Sequence, residues 1–166
     1  MILTVIVIAS IFTSQPATTM DVDITHLQWK KRLLLVFAAD NAQSNFQSLA
    51  NEISSRQADV DDRDLVVLEI LESGTSRMNR SRIEPQKGAS IRKQLGIAPD
   101  EFTVILVGKD GGIKLKRNDQ VRLEEIFQLI DSMPMRQDEM SQNSYRGRKS
   151  QAGLPFDNTF HIPLNF

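Results

Sequence analysis

Residues 33–38, with the sequence LLLVFA, form a short and uninterrupted apolar run. Such a run is typical of a strand buried on both faces, so it predicts a central parallel strand. Asp40 or Asn41 then stands where a helix cap is expected. The apolar residues of the following segment fall at helical spacing: Phe46, Leu49, Ala50 and Ile53. A second apolar run at residues 65–71 (LVVLEIL) completes a β-α-β unit.

The second half of the chain predicts four more elements. The first two are a short helix at residues 89–95 and a strand at 102–107. A turn at Asp110-Gly111 joins this strand to a second one at 113–116, in which apolar and basic residues alternate. The last element is a helix that begins at Asp119 and is ended by Pro134. The resulting order is β-α-β-α-β-β-α. We therefore predict an α/β fold of the thioredoxin-like kind, with a central mixed sheet covered by helices.

Composition limits the function classes. The chain has 166 residues, 40% of them hydrophobic and 25% charged, which fits one globular domain. Its net charge of −1 gives no overall attraction to nucleic acid or to an anionic membrane. It contains no cysteine, which excludes thiol nucleophiles, disulfide exchange and thiolate metal sites. Thiol redox activity is therefore ruled out. The composition does not indicate which function the protein has.

The two ends of the chain differ from its middle. Residues 2–12 are apolar apart from Thr4 and Ser10, which predicts a signal peptide at residues 1–19, export to the periplasm or secretion, and no stable membrane span in the mature chain. A buried strand is the alternative. Residues 20–140 are the predicted thioredoxin-like domain, and residues 141–166 the linker and C-terminal tail. The apolar residues of the tail are expected to dock on this chain rather than on a partner.

The loop after the first strand is where a thioredoxin-like fold carries its reactive groups, at the head of a helix. Here Asn41 and Ser44 occupy the places of a C-x-x-C pair. The proline expected just before the third strand is also missing, because Pro99 lies several residues too early. Asp40 and Asn41 are candidate ligand-binding residues of this loop, although helix capping is the better-supported interpretation.

Other catalytic and cofactor signatures are missing from the sequence. His26 and His161 are far apart and lack acidic residues at helical ligand spacing, so no metal site is predicted. The glycines of residues 108–112 lie between two predicted strands, which favours a turn over a phosphate-binding loop. No G-x-S-x-G, Walker A or G-x-G-x-x-G sequence occurs. We therefore expect no cofactor.

The most suggestive local feature is a basic segment at residues 73–98, in which Glu84 is the single acid. Its basic residues are Arg77, Arg80, Arg82, Lys87, Arg92 and Lys93. With Lys114, Lys116 and Arg117 they are predicted to form a face for an anionic glycan or lipid. The absence of aromatic residues in the segment argues against nucleic acid. The alternative is a solvated loop whose charge is balanced by Asp59, Asp61, Asp62 and Asp64.

Two function classes follow. The first is an exported, non-catalytic binding module for an unknown protein or an anionic envelope or matrix component, using the basic segment. The second is a cysteine-independent enzyme at the loop after the first strand, with Asp40 as acid or base and Arg136 or Lys109 as its electrostatic partner. A pocket that holds Asp40 beside a basic group would favour the enzyme.

Three segments resemble the family known as domain of unknown function 4174: residues 29–33 (WKKRL), 102–114 (FTVILVGKDGGIK) and 130–140 (IDSMPMRQDEM). The resemblance covers roughly residues 24–140. It implies a thioredoxin-like, peroxiredoxin-related fold. Similar domains occur in secreted animal matrix and sushi-repeat proteins, where the implied role is adhesion or matrix association. The resemblance provides no catalytic residue.

Overall fold

The computed structural model describes residues 25–151. After a single 3₁₀ turn at Thr25–Leu27, the strands are β1 (Arg32–Ala38), β2 (Leu65–Leu71), β3 (Arg77–Met78), β4 (Ser81–Arg82), β5 (Thr103–Val107) and β6 (Ile113–Arg117). The helices are α1 (Ser44–Ser55), α2 (Gln57–Asp62), α3 (Pro85–Gln94), α4 (Leu123–Asp131) and α5 (Pro134–Gln151). The predicted signal peptide and apolar tail lie outside the described residues.

The six strands form one mixed sheet in the order β4-β3-β2-β1-β5-β6. The central strand β1 is parallel to β2, as predicted from its apolar run, and antiparallel to β5. The short hairpin β3–β4 extends one edge of the sheet, and β6 forms the other edge. The predicted mixed sheet covered by helices is therefore confirmed.

Alternate residues of β1 serve two separate cores, because successive side chains of a strand point to opposite faces. Leu34 and Val36 pack with α1, α2 and α4, where Phe46, Val60 and Phe127 are buried. On the opposite face the buried side chains include Leu33, Leu35, Phe37, Ile91 of α3 and Ile97. The sheet is thus buried on both faces in its centre, which explains the nearly continuous apolar sequence of β1 and β2.

Two helices and two strands were not predicted. The acidic residues before β2 form α2, and the residues after β2 form the hairpin β3–β4. Residues 141–151, which were predicted to belong to the linker and C-terminal tail, continue the helix α5. Pro134 does end α4, but it also begins α5, where its missing N–H costs nothing.

Candidate functional site

The hairpin β3–β4 is stabilised by a tight turn and by a hydrogen bond from β2 to a side chain of that turn. Asn79 and Arg80 both have positive φ, 46° and 70°, as the two central residues of a type I′ turn require. The Oδ1 atom of Asn79 accepts a hydrogen bond from the Val67 N–H at 2.9 Å, which ties the turn to β2. The hairpin pairs Arg77 directly with Arg82. Like charges at facing positions repel, so the fold holds two cations together at this edge.

Most of the basic residues of the predicted face have no acidic partner. Among the side chains described, no ion pair involves Arg80, Arg82, Lys87 or Lys93. Arg77 has one weak contact, 3.9 Å from Glu69. Burial raises the pKa of this carboxyl group, and the Arg77 charge only partly offsets that effect. The hairpin and the helix that follows it therefore carry a net positive surface, which we call the basic hairpin surface: Arg77, Arg80, Arg82, Lys87 and Lys93.

Arg92 does not belong to this surface, contrary to the prediction. Its side chain is only 5% exposed. Nη1 donates to the carbonyl of Ala98 at 2.8 Å, and Nη2 donates to those of Ala38 at 2.7 Å and Ile70 at 3.0 Å. Arg92 therefore ties the ends of β1 and β2 to the loop before β5. Its place on the inner face of α3, beside Ile91, explains why it turns inward while Lys93 stays exposed.

The predicted extension of the face to Lys114, Lys116 and Arg117 was also wrong. These residues lie on β6, at the opposite edge of the sheet from the hairpin. Four strand spacings of about 4.8 Å separate β3 from β6, or about 19 Å. Lys114 and Arg117 moreover have acidic partners of their own, Asp110 at 2.7 Å and Asp119 at 2.8 Å.

The aspartates proposed to balance the basic segment interact elsewhere. Asp59 pairs with Arg56, and Asp62 and Asp64 bind cations at the far end of the sheet. Asp61 accepts a hydrogen bond from the Gln57 side chain. Among the described side chains, no ion pair links these four residues to residues 73–98. These four aspartates therefore do not neutralise the basic hairpin surface through ion pairs, as the interpretation of a charge-balanced loop required.

Asp40 and Asn41 lie in the loop after β1, as predicted. Oδ1 of Asp40 accepts hydrogen bonds from the backbone N–H groups of Ala42 at 2.8 Å and Gln43 at 3.1 Å. These bonds close the turn that leads into α1, whose N-cap residue is Gln43 rather than Asp40 or Asn41. The Asp40 carboxylate therefore has a structural role similar to helix capping, because it binds the backbone N–H groups just before α1.

The structure does not bring Asp40 together with Lys109 or Arg136. Because β5 runs antiparallel to β1, its last residue, Val107, pairs with Leu33 at the start of β1. Lys109 therefore lies near the start of β1, whereas Asp40 follows its end. A seven-residue strand spans about 20 Å. The predicted electrostatic partnership is wrong on these distances.

Lys109 and Arg136 instead belong to a cluster of charges at the base of the sheet, where β1 begins. Glu139 of α5 receives both Nη atoms of Arg32, at 3.1 and 3.2 Å, and lies 2.7 Å from the Lys109 Nζ atom. Lys109 also contacts Asp64 at 2.9 Å. Arg136 binds Asp62 and, at 3.2 Å, Asp131. We call this cluster the basal ion-pair network: Arg32, Asp62, Asp64, Lys109, Asp131, Arg136 and Glu139.

The network stabilises the charged forms of its acids. Burial alone would raise the pKa of Glu139, but the hydrogen bonds from Arg32 and Lys109 outweigh it and hold the pKa below its ordinary value of 4.5. Asp64 behaves in the same way, with Lys109 and Lys31 opposing its burial and lowering the pKa. Glu139 and Asp64 are paired with cations and are only partly accessible. We therefore interpret them as structural residues that help to hold α5 on the sheet.

Sequence reasoning missed both the hairpin and the network. The hairpin strands have two residues each and no β-branched or aromatic side chain, so their pattern gives no signal. The network joins residues far apart in sequence. The three segments that resemble the known family supply Arg32, Lys109, Asp131, Arg136 and Glu139, so the resemblance was the available signal.

Residues 25–151 contain neither a candidate metal site nor a candidate membrane span. Within that range no group of three or more histidine, aspartate or glutamate side chains is placed to hold a metal ion. None of the helices described is both long and apolar enough to cross a bilayer.

The order of strands and helices defines a thioredoxin-like domain. The chain belongs to the family described as Domain of unknown function (DUF4174), whose pattern matches residues 23–139. A relative, coiled-coil domain-containing protein 80 of Danio rerio, is 25% identical over 134 residues. That match covers 71% of this chain but 16% of the fish protein, so the chain corresponds to a small part of that relative.

Solved structures similar to the domain include peroxiredoxins. The reduced 2-Cys peroxiredoxin of Plasmodium vivax matches with a TM-score of 0.51 at 14% identity, over 69% of this chain and 84% of that one. The mitochondrial 2-Cys peroxiredoxin of Plasmodium falciparum gives 0.50 at 11% identity, over 80% and 84%. At such identities the likeness shows the fold alone, and the chain described here has no cysteine.

Proposed function

We propose that this protein is an exported, non-catalytic thioredoxin-like module that binds an anionic envelope or matrix component through the basic hairpin surface. The observation that carries the proposal is the set of cations without acidic partners on β4, its turn and α3, beside the facing pair Arg77 and Arg82. The contrast with the basal ion-pair network supports it, since the cations there are matched with acids.

An acidic polysaccharide fits this surface better than a lipid bilayer. Membrane-surface binding normally combines basic residues with apolar anchors that enter the interface. Among the described residues, the large exposed apolar side chains are Trp29, Ile113, Met135 and Tyr145. None lies between residues 73 and 98. A carboxylated or sulfated glycan requires only the cations.

Charge reversal at the hairpin tests the proposal. We expect the full chain to be retained on immobilised heparin in a salt-dependent manner, because binding releases counterions. The triple variant Arg77→Glu, Arg80→Glu, Arg82→Glu should bind at least about tenfold more weakly at about 0.1 M salt, with a shallower dependence of affinity on salt. Affinity chromatography and calorimetry across a salt series measure both quantities.

The matched control reverses Lys114, Lys116 and Arg117 to glutamate. It changes the net charge equally and alters the other edge of the same sheet. We expect its retention to stay close to that of the unchanged protein. Equal loss in both variants, or no retention of the unchanged protein, would exclude the basic hairpin surface as the binding site. Phosphatidylglycerol vesicles, tested in parallel, should retain the protein less than heparin does.

Export is supported by the apolar run at residues 2–12. We expect the exported chain to begin near Met20, after cleavage between residues 17 and 19. N-terminal sequencing of the protein recovered outside the cytoplasm measures this. Recovery only of the uncleaved chain inside the cell would contradict the export proposal and leave the binding proposal to its own test.

A further inference from the structure

A small cavity lies against the basic hairpin surface. Its volume is about 170 Å³, and it opens between the end of β2, the hairpin and the first turns of α3. Its lining includes Glu72, Ser76, Arg82, Ala89 and Arg92. Pockets that enclose a whole small molecule usually measure roughly 300–1,000 Å³. This cavity is therefore suited to one functional group of a larger ligand.

One wall presents a buried guanidinium in a fixed position. The Nη atoms of Arg92 are held by three backbone carbonyls. Among the described residues, no hydrogen bond involves Nε, which lies 3.5 Å from the Glu72 carboxylate. Because the Nη hydrogen bonds already hold the Arg92 side chain in place, its Nε–H group can donate to a bound anion without a loss of side-chain entropy. This favours binding.

The other walls present one free cation and one movable anion. Arg82 has no acidic partner among the described side chains, so its charge is available to a ligand. The Glu72 side chain is 50% exposed, and its contact with Arg92 is longer than a normal ionic hydrogen bond. Glu72 is thus able to rotate into solvent and vacate the space beside the Arg92 Nε atom.

We infer that the cavity binds a single carboxylate or sulfate group between Arg82 and the Nε atom of Arg92, and that Glu72 competes for this place when no ligand is bound. The inference rests on the proposed function and makes it more specific, because it gives the polysaccharide one anchoring acidic group. The exposed residues Arg77 and Arg80 then contact the rest of the polysaccharide.

Substitutions in the cavity should act in opposite directions. With sodium sulfate and glucuronate as separate probes, Glu72→Gln should tighten binding by about fivefold, since it removes a competing charge. Arg82→Gln should weaken binding by a similar factor. The control Glu84→Gln removes the same charge nearby but outside the cavity lining, and should change the affinity less. Amide and arginine Nε–H chemical shifts measured during the titration report the affinity and the place of binding.

A steric variant separates the cavity from the charge of its surroundings. Ala89 lines the cavity and is exposed on α3, so Ala89→Leu should block the small anions without unfolding the helix. Ser90→Leu alters the neighbouring exposed position and should leave sulfate binding unchanged. The Nε–H signal of Arg92 should shift with sulfate in the unchanged protein and stay fixed in Ala89→Leu.

The two proposals fail in different ways. If heparin retention is normal but Glu72→Gln and Ala89→Leu leave anion binding unchanged, the cavity inference is wrong and the surface proposal stands. If sulfate shifts the Arg92 signal but heparin is not retained, the cavity binds anions and the polysaccharide proposal is wrong. Sulfate binding that perturbs only residues outside the cavity also overturns the inference.

Discussion

Replacing Glu139 with glutamine is expected to lower the free energy of unfolding by about 3 kcal/mol. Glu139 accepts hydrogen bonds from both Nη atoms of Arg32, whose side chain is 1% exposed. Glu139 also forms an ion pair with Lys109. Glutamine has the same shape but no charge, so Arg32 would remain buried without its counter-ion. Removal of one partner from a buried pair is costly for this reason. Urea denaturation at neutral pH measures the difference.

The control for this experiment is the adjacent position. Asp138→Asn removes the same charge from the same helix, but Asp138 is exposed and forms no ion pair among the described side chains. We expect it to change the unfolding free energy by less than about 0.5 kcal/mol. Equal effects of the two variants would show that the basal ion-pair network does not hold α5 on the sheet.

The stabilisation by Glu139 should depend on pH. Because its folded pKa lies below the ordinary value of 4.5, its contribution is fully present well above that value. The contribution is lost as the pH falls through the lowered folded pKa, where the carboxylate takes up a proton. Asp64, whose ordinary value is 3.8 and whose pKa is also lowered, adds to the loss in acid. The difference between the unchanged protein and Glu139→Gln should therefore shrink below about pH 4.

The second large effect is expected at Arg92. Arg92→Met keeps the length of the apolar stem but removes the donors to the carbonyls of Ala38, Ile70 and Ala98. The carbonyls of Ala38 and Ala98 keep a backbone donor each, from Glu72 and Glu101, so the cost is that of three lost hydrogen bonds from a buried charged donor. At about 1 kcal/mol for each such bond, we expect a loss of about 3 kcal/mol. The contact of the guanidinium with the Phe37 ring, at 5.4 Å, is lost as well.

Lys93→Met is the matched control, since it removes the same charge one position further along α3. Lys93 is exposed and should change the unfolding free energy by less than about 0.5 kcal/mol. Thermal and urea denaturation compare the two variants. A similar, small effect at both positions would mean that Arg92 is a surface residue after all, and would return it to the basic hairpin surface.

The parts of the fold that depend on apolar burial were predictable. β1, β2 and β5 carry nearly continuous apolar runs. In α4, Leu123, Ile126, Phe127 and Ile130 fall on one helical face. Burial of these side chains dominates folding, so their order along the chain indicates the architecture. The predicted thioredoxin-like order of strands and helices follows from these apolar patterns.

Elements held by polar contacts were not predictable. Glu139 attaches α5 to Arg32 of β1 and to Lys109 after β5, and Arg136 attaches it to Asp62 of α2. Because these contacts are polar, α5 lacks the apolar periodicity that indicates the other helices. Arg92 and Lys93 are adjacent basic residues, and only their position on α3 separates them. Gly88, Ile91 and Arg92 are buried at spacings of three and four, which marks a common helical face. That spacing was the signal that Arg92 turns inward.

The candidate site was only partly predictable, because charge is visible in a sequence but pairing is not. Residues 77–93 include six basic residues, and four of these have no acidic partner among the side chains that the structure describes. Lys114, Lys116 and Arg117 are equally basic in sequence, yet β6 places them at the far edge of the sheet. The order of the strands, which no local pattern specifies, decides which cations share a surface.

The most direct test of anion recognition by the basic hairpin surface is an amide chemical-shift map of the full chain during titration with heparin oligosaccharides. Anion recognition by this surface predicts perturbations that are concentrated between residues 72 and 93 and that become smaller as salt is added. Perturbations centred on β6 or on the loop at Asp40, or none at all, would contradict it.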